Sequence, residues 1–177
     1  MTEQLTLDQI AASLQATPNS LRHWLEAVPN EVSQWRPAPD EWCINEVIGH
    51  MIAADQNGFD GRIRMILAED GQALQGWAIN ETAQNRRDHE KQVFTLLDEL
   101  SNMRDQSAVL VRALHLEQLQ RSGQHPAVGT LTVNDLLYEW LYHDHNHLKQ
   151  ILSNLQAYVW PQMGNAQKFS NPAMTPT

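Results

Sequence analysis

Apolar residues recur every three or four positions along almost the whole chain, and that spacing limits the fold more than any other feature. It is the period of an α-helix, and no stretch alternates apolar and polar residues long enough to read as a strand. A first helical region covers residues 5–28, with Pro18 inside it. Proline is best tolerated in the first turn of a helix, so a second segment is expected to begin there, capped by Thr17. "VPNEVSQWRPAPDEW" then carries three prolines and must be a connection.

A long helix is predicted over 44–69, with Ile44, Val47, Ile48, Met51, Asp55, Phe59, Arg62 and Ile66 on its inward side. Cys43 and Glu46 stand at the N-cap and N3 places of a capping box, although cysteine is a poor cap. "EDGQALQGW" ends this helix with two glycines, and a third helix is predicted over 89–114. "RSGQHPAVGTLT" breaks the pattern again. The last helix follows Thr132, whose start signal Asp135 completes, and runs to about residue 156. The expected fold class is all-α, a four-helix bundle in one domain over 1–156, with 157–177 as a C-terminal tail. All three connections exceed the 2 to 8 residues usual between antiparallel neighbours, so up-down-up-down order is not forced.

The chain of 177 residues is long enough for one proper core, and its hydrophobic content of 42% is that of a globular protein. A net charge of −9, with no cluster of Lys and Arg, argues against nucleic acid as a partner. No apolar run approaches the ~20 residues that span a bilayer. The single cysteine fits a reducing compartment, and a cytoplasmic, non-membrane protein is expected.

"HDHNH", residues 143–147, packs three of the eight histidines into five positions. On a helix, residues four apart lie about 6 Å along the axis and about 40° around it. His143 and His147 can therefore converge on one ion, whereas His145 is about 200° from each and cannot. Catalytic sites of this kind usually have three protein ligands and an open position. His50, mid-helix beside the inward arc, is the strongest third candidate; His23, His89, His115 and His125 lie near helix ends, in loops, or on the first helix. Ala54, Gly58 and Gly61 share the flank of His50, and either make room beside a metal or let two helices pack closely. A histidine pair four apart is equally the mark of a solvated helix face.

The segments "RPAPDEWCINEVIGHMIAAD", "RIRMIL", "SGQHPAVGTLTVNDLL" and "HDHNHLKQI", in this order, make the chain resemble the DinB-like superfamily of metal-binding four-helix-bundle proteins. The resemblance spans about residues 21–155. It implies an up-down-down-up bundle, and a divalent metal held by a histidine of the second helix and an HxxxH pair of the last. By position these are His50, His143 and His147. Cys43 departs from the Ser or Thr usual there, and at about 10 Å along the helix from His50 it is too distant to be a fourth ligand.

Three polar residues fall inside apolar arcs. Asp144 lies on the inward side of the last helix, and Asp55 and Arg62 lie on one face of the second. Asp144 is expected to be held by Arg62 or by a ring N–H of a ligand histidine, or else to belong to a buried ion pair that fixes helix register. Glu139, a turn before His143, is a weaker candidate fourth ligand. Trp35, Trp42 and Trp140 either wall a pocket or pack in the core, with packing favoured for the last two.

Three imidazoles suit Zn, Ni, Fe or Cu. The resemblance implies a metal-dependent transferase acting with a low-molecular-weight thiol on an electrophile. A metal-dependent hydrolase is the alternative, and a non-catalytic, metal-stabilised stress-related binding protein the contrasting class. No general base, and so no catalytic residue, can be named from the sequence, and a homodimer is left open.

Overall fold

The computed structural model describes residues 4–170. Four long helices form the bundle: α1 (Leu7–Leu25), α3 (Ile44–Ala54) continued through a π-turn (Asp55–Phe59) into α4 (Asp60–Ala68), α6 (Val93–Arg112) and α7 (Val133–Val159). The short helices α2 (Asn30–Gln34) and α5 (Ile79–Arg86) lie in the connections.

Helices α6 and α7 each pack against both α1 and α3, which places α1 opposite α3. Side-chain pairs give the directions. Gln15 of α1 donates to Asp105 of α6 and Arg22 to Asp98, so these helices are antiparallel. Asn45 donates to the Lys91 carbonyl, Arg104 to Asp55 and Ser107 to Asp60, so α6 runs parallel to α3 and α4. Asn154 donates to the Trp42 carbonyl and Trp140 to Asp55, so α7 is antiparallel to α3. The order is up-down-down-up. A parallel second pair requires the chain to travel the length of the bundle between α4 and α6, which explains the long segment there.

The connections hold structure that helical periodicity does not show. Strands β1 (Gln72–Ala73), β2 (Ser122–His125) and β3 (Gly129–Thr132) form a small sheet, β1 parallel and β3 antiparallel to β2. Strands of two to four residues are too short to display a period of two. Helix α6 begins at Val93 rather than residue 89, because residues 88–90 form a separate 3-10 turn after Arg87 in the left-handed conformation. Helix α7 passes residue 156 to Val159 and leads into 3-10 turns to Ser170; the rest of the expected tail lies outside the described residues.

Helix α1 does not break at Pro18. Thr6 is the N-cap, in a reciprocal box with Gln9, and Thr17 caps nothing. The proline removes the N–H that the Leu14 carbonyl would receive; Arg104 reaches that carbonyl from α6 instead, at 3.5 Å. Thr17 is buried and donates its hydroxyl to Asp144 at 2.8 Å.

The π-turn inserts one extra residue into the second bundle helix, turning every later position by about 100°. Ile63 therefore takes the inward place expected for Arg62 and is fully buried, while Arg62 swings to the flank. Gly61 is required by the same turn: a Cβ there would lie 2.0 Å from the Gln56 carbonyl oxygen.

The core is two apolar clusters. One gathers Leu14, Phe59, Ala108 and Trp140, and the other Leu21, Met51, Leu100 and Ile151. Between them lies a polar layer with one residue from each bundle helix: Thr17, Asp55, Arg104 and Asp144, all buried. Arg104 donates through Nε and Nη2 to Asp55 at 2.6 and 3.1 Å, and through Nη1 and Nη2 to Asp144 at 2.6 and 2.7 Å. Trp140 Nε1 adds a bond to Asp55 at 2.8 Å. Asp144 is thus bonded neither to Arg62 nor to a histidine; it belongs to a buried ion pair that ties four helices at one level.

Candidate metal centre

His50 projects from α3 and His143 and His147 from α7, at the edge of the polar layer. Their Nε2 atoms converge: His143 Nε2 lies 3.1 Å from that of His50 and 3.2 Å from that of His147. The three ligand atoms all fall within 4.8 Å of one another. A tetrahedral ion with bonds of 2.0–2.1 Å separates its ligands by about 3.3 Å, so His143 stands almost at the required spacing from each of the other two. His145 is exposed on the opposite flank, as its position on the helix requires.

Packing holds the three rings. The His50 ring sits between Trp42, 5.2 Å away, and Trp77, stacked at 5.7 Å. Phe59 meets His143 edge-on at 5.0 Å and stacks on Trp140 at 5.3 Å. The Nδ1 atom of His147 is 2.9 Å from Gln150 Oε1. Since an amide oxygen only accepts, Nδ1 carries the proton and Nε2 keeps its lone pair for the cluster.

Burial decides the charge of the cluster. It lowers His50 to about 4, helped by the nearby His147, and lowers His143 to about 3, helped by both other histidines. His147 is also lowered by burial, against the opposing pull of Gln150 and Asp144. At neutral pH the site is three neutral imidazoles with Nε2 atoms crowded together, and the Nδ1 atoms of His50 and His143 are buried without a partner among the described residues. Such a donor set fits a divalent transition metal, which takes uncharged imidazole nitrogen.

The cluster opens on a cavity of ≈ 360 Å³. Ala54 and Gly58 line it as the flank of small residues suggests, but Gly61 does not. Phe59, Trp77, Val128, Leu131 and Leu136 make its apolar wall, and Arg62, His125, Glu139 and Asp135, the last turned to capping α7, are polar groups along it. Glu139 lies outside the ligand cluster. Cys43 is fully buried at the N-cap of α3, where burial pushes its thiol up to about 11. Trp35 packs edge-on against Tyr158 and does not line the cavity.

Two residues escape a sequence reading for different reasons. Arg104 had a signal: on α6 it falls on the stripe of Leu97, Leu100, Ala108 and Val111, where a charge needs partners. Trp77 had none, because it stands in an irregular connection whose path depends on the whole fold.

Comparison with known proteins agrees with the fold. The chain is 24% identical over 112 residues, 63% of its length, to a protein of Halalkalibacterium halodurans named "Putative metal-dependent hydrolase BH0277", of which it spans 64%. YfiT from Bacillus subtilis, described as a probable metal-dependent hydrolase with an unusual four-helix bundle topology, superposes with a TM-score of 0.76 at 18% identity. That match covers 87% of this chain and 90% of the other. Among the described residues no helix is long and apolar enough to cross a membrane. The family model of the DinB superfamily matches residues 13–151, and the chain belongs to that superfamily.

Proposed function

We propose that the protein binds one divalent transition-metal ion, Zn, Ni, Fe or Cu, through the Nε2 atoms of His50, His143 and His147, and that it is a metal-dependent hydrolase of a small molecule held in the adjoining cavity. The observation that carries this reading is the convergence of three neutral imidazoles on the wall of that cavity, with His143 Nε2 3.1 and 3.2 Å from those of His50 and His147. The bound ion would supply Lewis acidity toward whatever occupies its open side. The chain supplies the rest. Gln150 fixes the tautomer of His147, Trp42 and Trp77 hold the His50 plane, and the apolar wall offers a surface for the body of a substrate.

Hydrolysis is favoured by the descriptions of the Halalkalibacterium halodurans protein and of YfiT as metal-dependent hydrolases, "putative" and "probable" respectively. Transfer of a low-molecular-weight thiol to an electrophile uses the same site, since three uncharged ligands leave the ion its full charge to attract a thiolate. Purified protein loaded with each metal is assayed on a panel of esters and amides, and on electrophiles with and without added thiol. Thiol-independent turnover that His147→Ala abolishes supports the hydrolase. Turnover only with added thiol replaces it by the transferase, and tight metal binding without turnover in either panel leaves a non-catalytic binding protein.

A further inference from the structure

Arg62 lines the same cavity as the three histidines, yet it forms no ion pair with any described carboxylate. In an acidic chain this is unusual. Arg22, Arg36, Arg64, Arg86, Arg87, Arg104 and Arg112 each have a carboxylate within 4.0 Å. Arg121, the other exception, donates to the Leu67 carbonyl and does not line the cavity.

The guanidinium of Arg62 is positioned but unsatisfied. Nη2 donates to the Gln75 carbonyl at 3.0 Å, which anchors the group to the segment that carries Trp77. Nε is buried and has no acceptor among the described residues. Glu139 lies near enough to act on its charge but not near enough to pair with it. A buried donor without a partner is costly, and a planar guanidinium is the group best matched to a carboxylate. The π-turn is what brings it here, by turning Arg62 out of the core.

We propose that Arg62 is the substrate-recognising residue of the cavity, and that the site takes a small molecule with a carboxylate on an apolar body. The carboxylate pairs with the guanidinium N–H groups that Gln75 leaves unused. The apolar body lies against Trp77, Phe59 and Leu131 and presents its reacting end toward the histidines. A cavity of ≈ 360 Å³ is at the lower end of the range that holds small ligands. This assignment rests on the functional reading above for its reaction, but not for its binding.

The test uses benzoate and its uncharged counterpart benzamide, titrated into metal-free and zinc-loaded protein while the Trp77 indole N–H is followed by NMR. Benzoate should bind about tenfold or more tightly than benzamide in both forms. Arg62→Met should abolish that preference without weakening zinc binding. Equal affinities in the wild type overturn the proposal. So does a preference that survives in Arg62→Met, or one that needs zinc, since the ion and not the arginine would then hold the anion. If Arg62→Met does not fold, Arg62→Lys, which keeps the charge but loses the planar fork, should cut the preference severalfold, and an undiminished preference counts against the assignment. Failure of zinc to bind the wild type would sink the metal reading, while the metal-free titration would still decide the role of Arg62.

Discussion

Two polar regions lie side by side in the middle of this bundle, built from the same helices and opposite in character. In the layer of Thr17, Asp55, Arg104 and Asp144 every donor meets an acceptor: Arg104 serves two carboxylates, and Trp140 and Thr17 add to them. Burial still holds Asp55 high, at about 6, because the guanidinium opposes but does not cancel the loss of water. Arg104 is pulled down by its own burial yet ends above its usual value, because two carboxylates face it. One residue along the chain from Asp144, the histidine cluster crowds three ring Nε2 atoms together and leaves the Nδ1 atoms of His50 and His143 without partners among the described residues. The first region is closed and fixes how the helices register. The second is incomplete on its own, which is the physical mark of a site that receives something.

The sharpest break between the two is in stability. Arg104→Met leaves two buried carboxylates unpaired and should cost about 3–5 kcal/mol in urea unfolding. His147→Ala in the metal-free protein should cost about 1 kcal/mol or less, since it removes a half-buried ring that completes no network. Comparable losses at both positions would erase the distinction.

A smaller effect sharpens the account of the open site. Gln150→Leu removes the acceptor that fixes the His147 tautomer, and should weaken metal binding about tenfold with the fold intact. Unchanged affinity would show that the ring is held by packing alone.

The smallest expected effect concerns pH. Three ordinary imidazoles near 6.5 would lose about a thousandfold in metal affinity between pH 7.5 and 5.5 through proton competition. With His50 lowered to about 4 and His143 to about 3, the loss should be about tenfold or less. The metal-free fold responds in the same direction. Between those values and 6.5 the unfolded chain binds more protons, so stability is full above about 6.5 and falls as the pH drops toward 4. Competition calorimetry at both pH values, with urea unfolding alongside, reads both.

Much of this was legible in the residues. Helical periodicity locates four long helices, and a spacing of four isolates His143 and His147 from His145, because both are local consequences of 3.6 residues per turn. The connections were not legible: strands of two to four residues carry no period, and the place of Trp77 depends on where the chain must cross the bundle. Arg62 misleads for a definite reason. Counting at 3.6 residues per turn puts it inward with Asp55, and a single inserted residue in the π-turn moves it to the cavity. Pro18 misleads likewise, since only tertiary structure could show that Arg104 reaches the carbonyl the proline leaves bare.

The central claim is that rings from two helices share one ion, and a calorimetric titration of zinc into the wild type and His50→Ala tests it most directly. The account predicts one ion per wild-type chain and an affinity lower by more than about a hundredfold in the variant, because the third nitrogen comes from the other helix. Equal affinity in the two proteins, or no stoichiometric binding in the wild type, would contradict it.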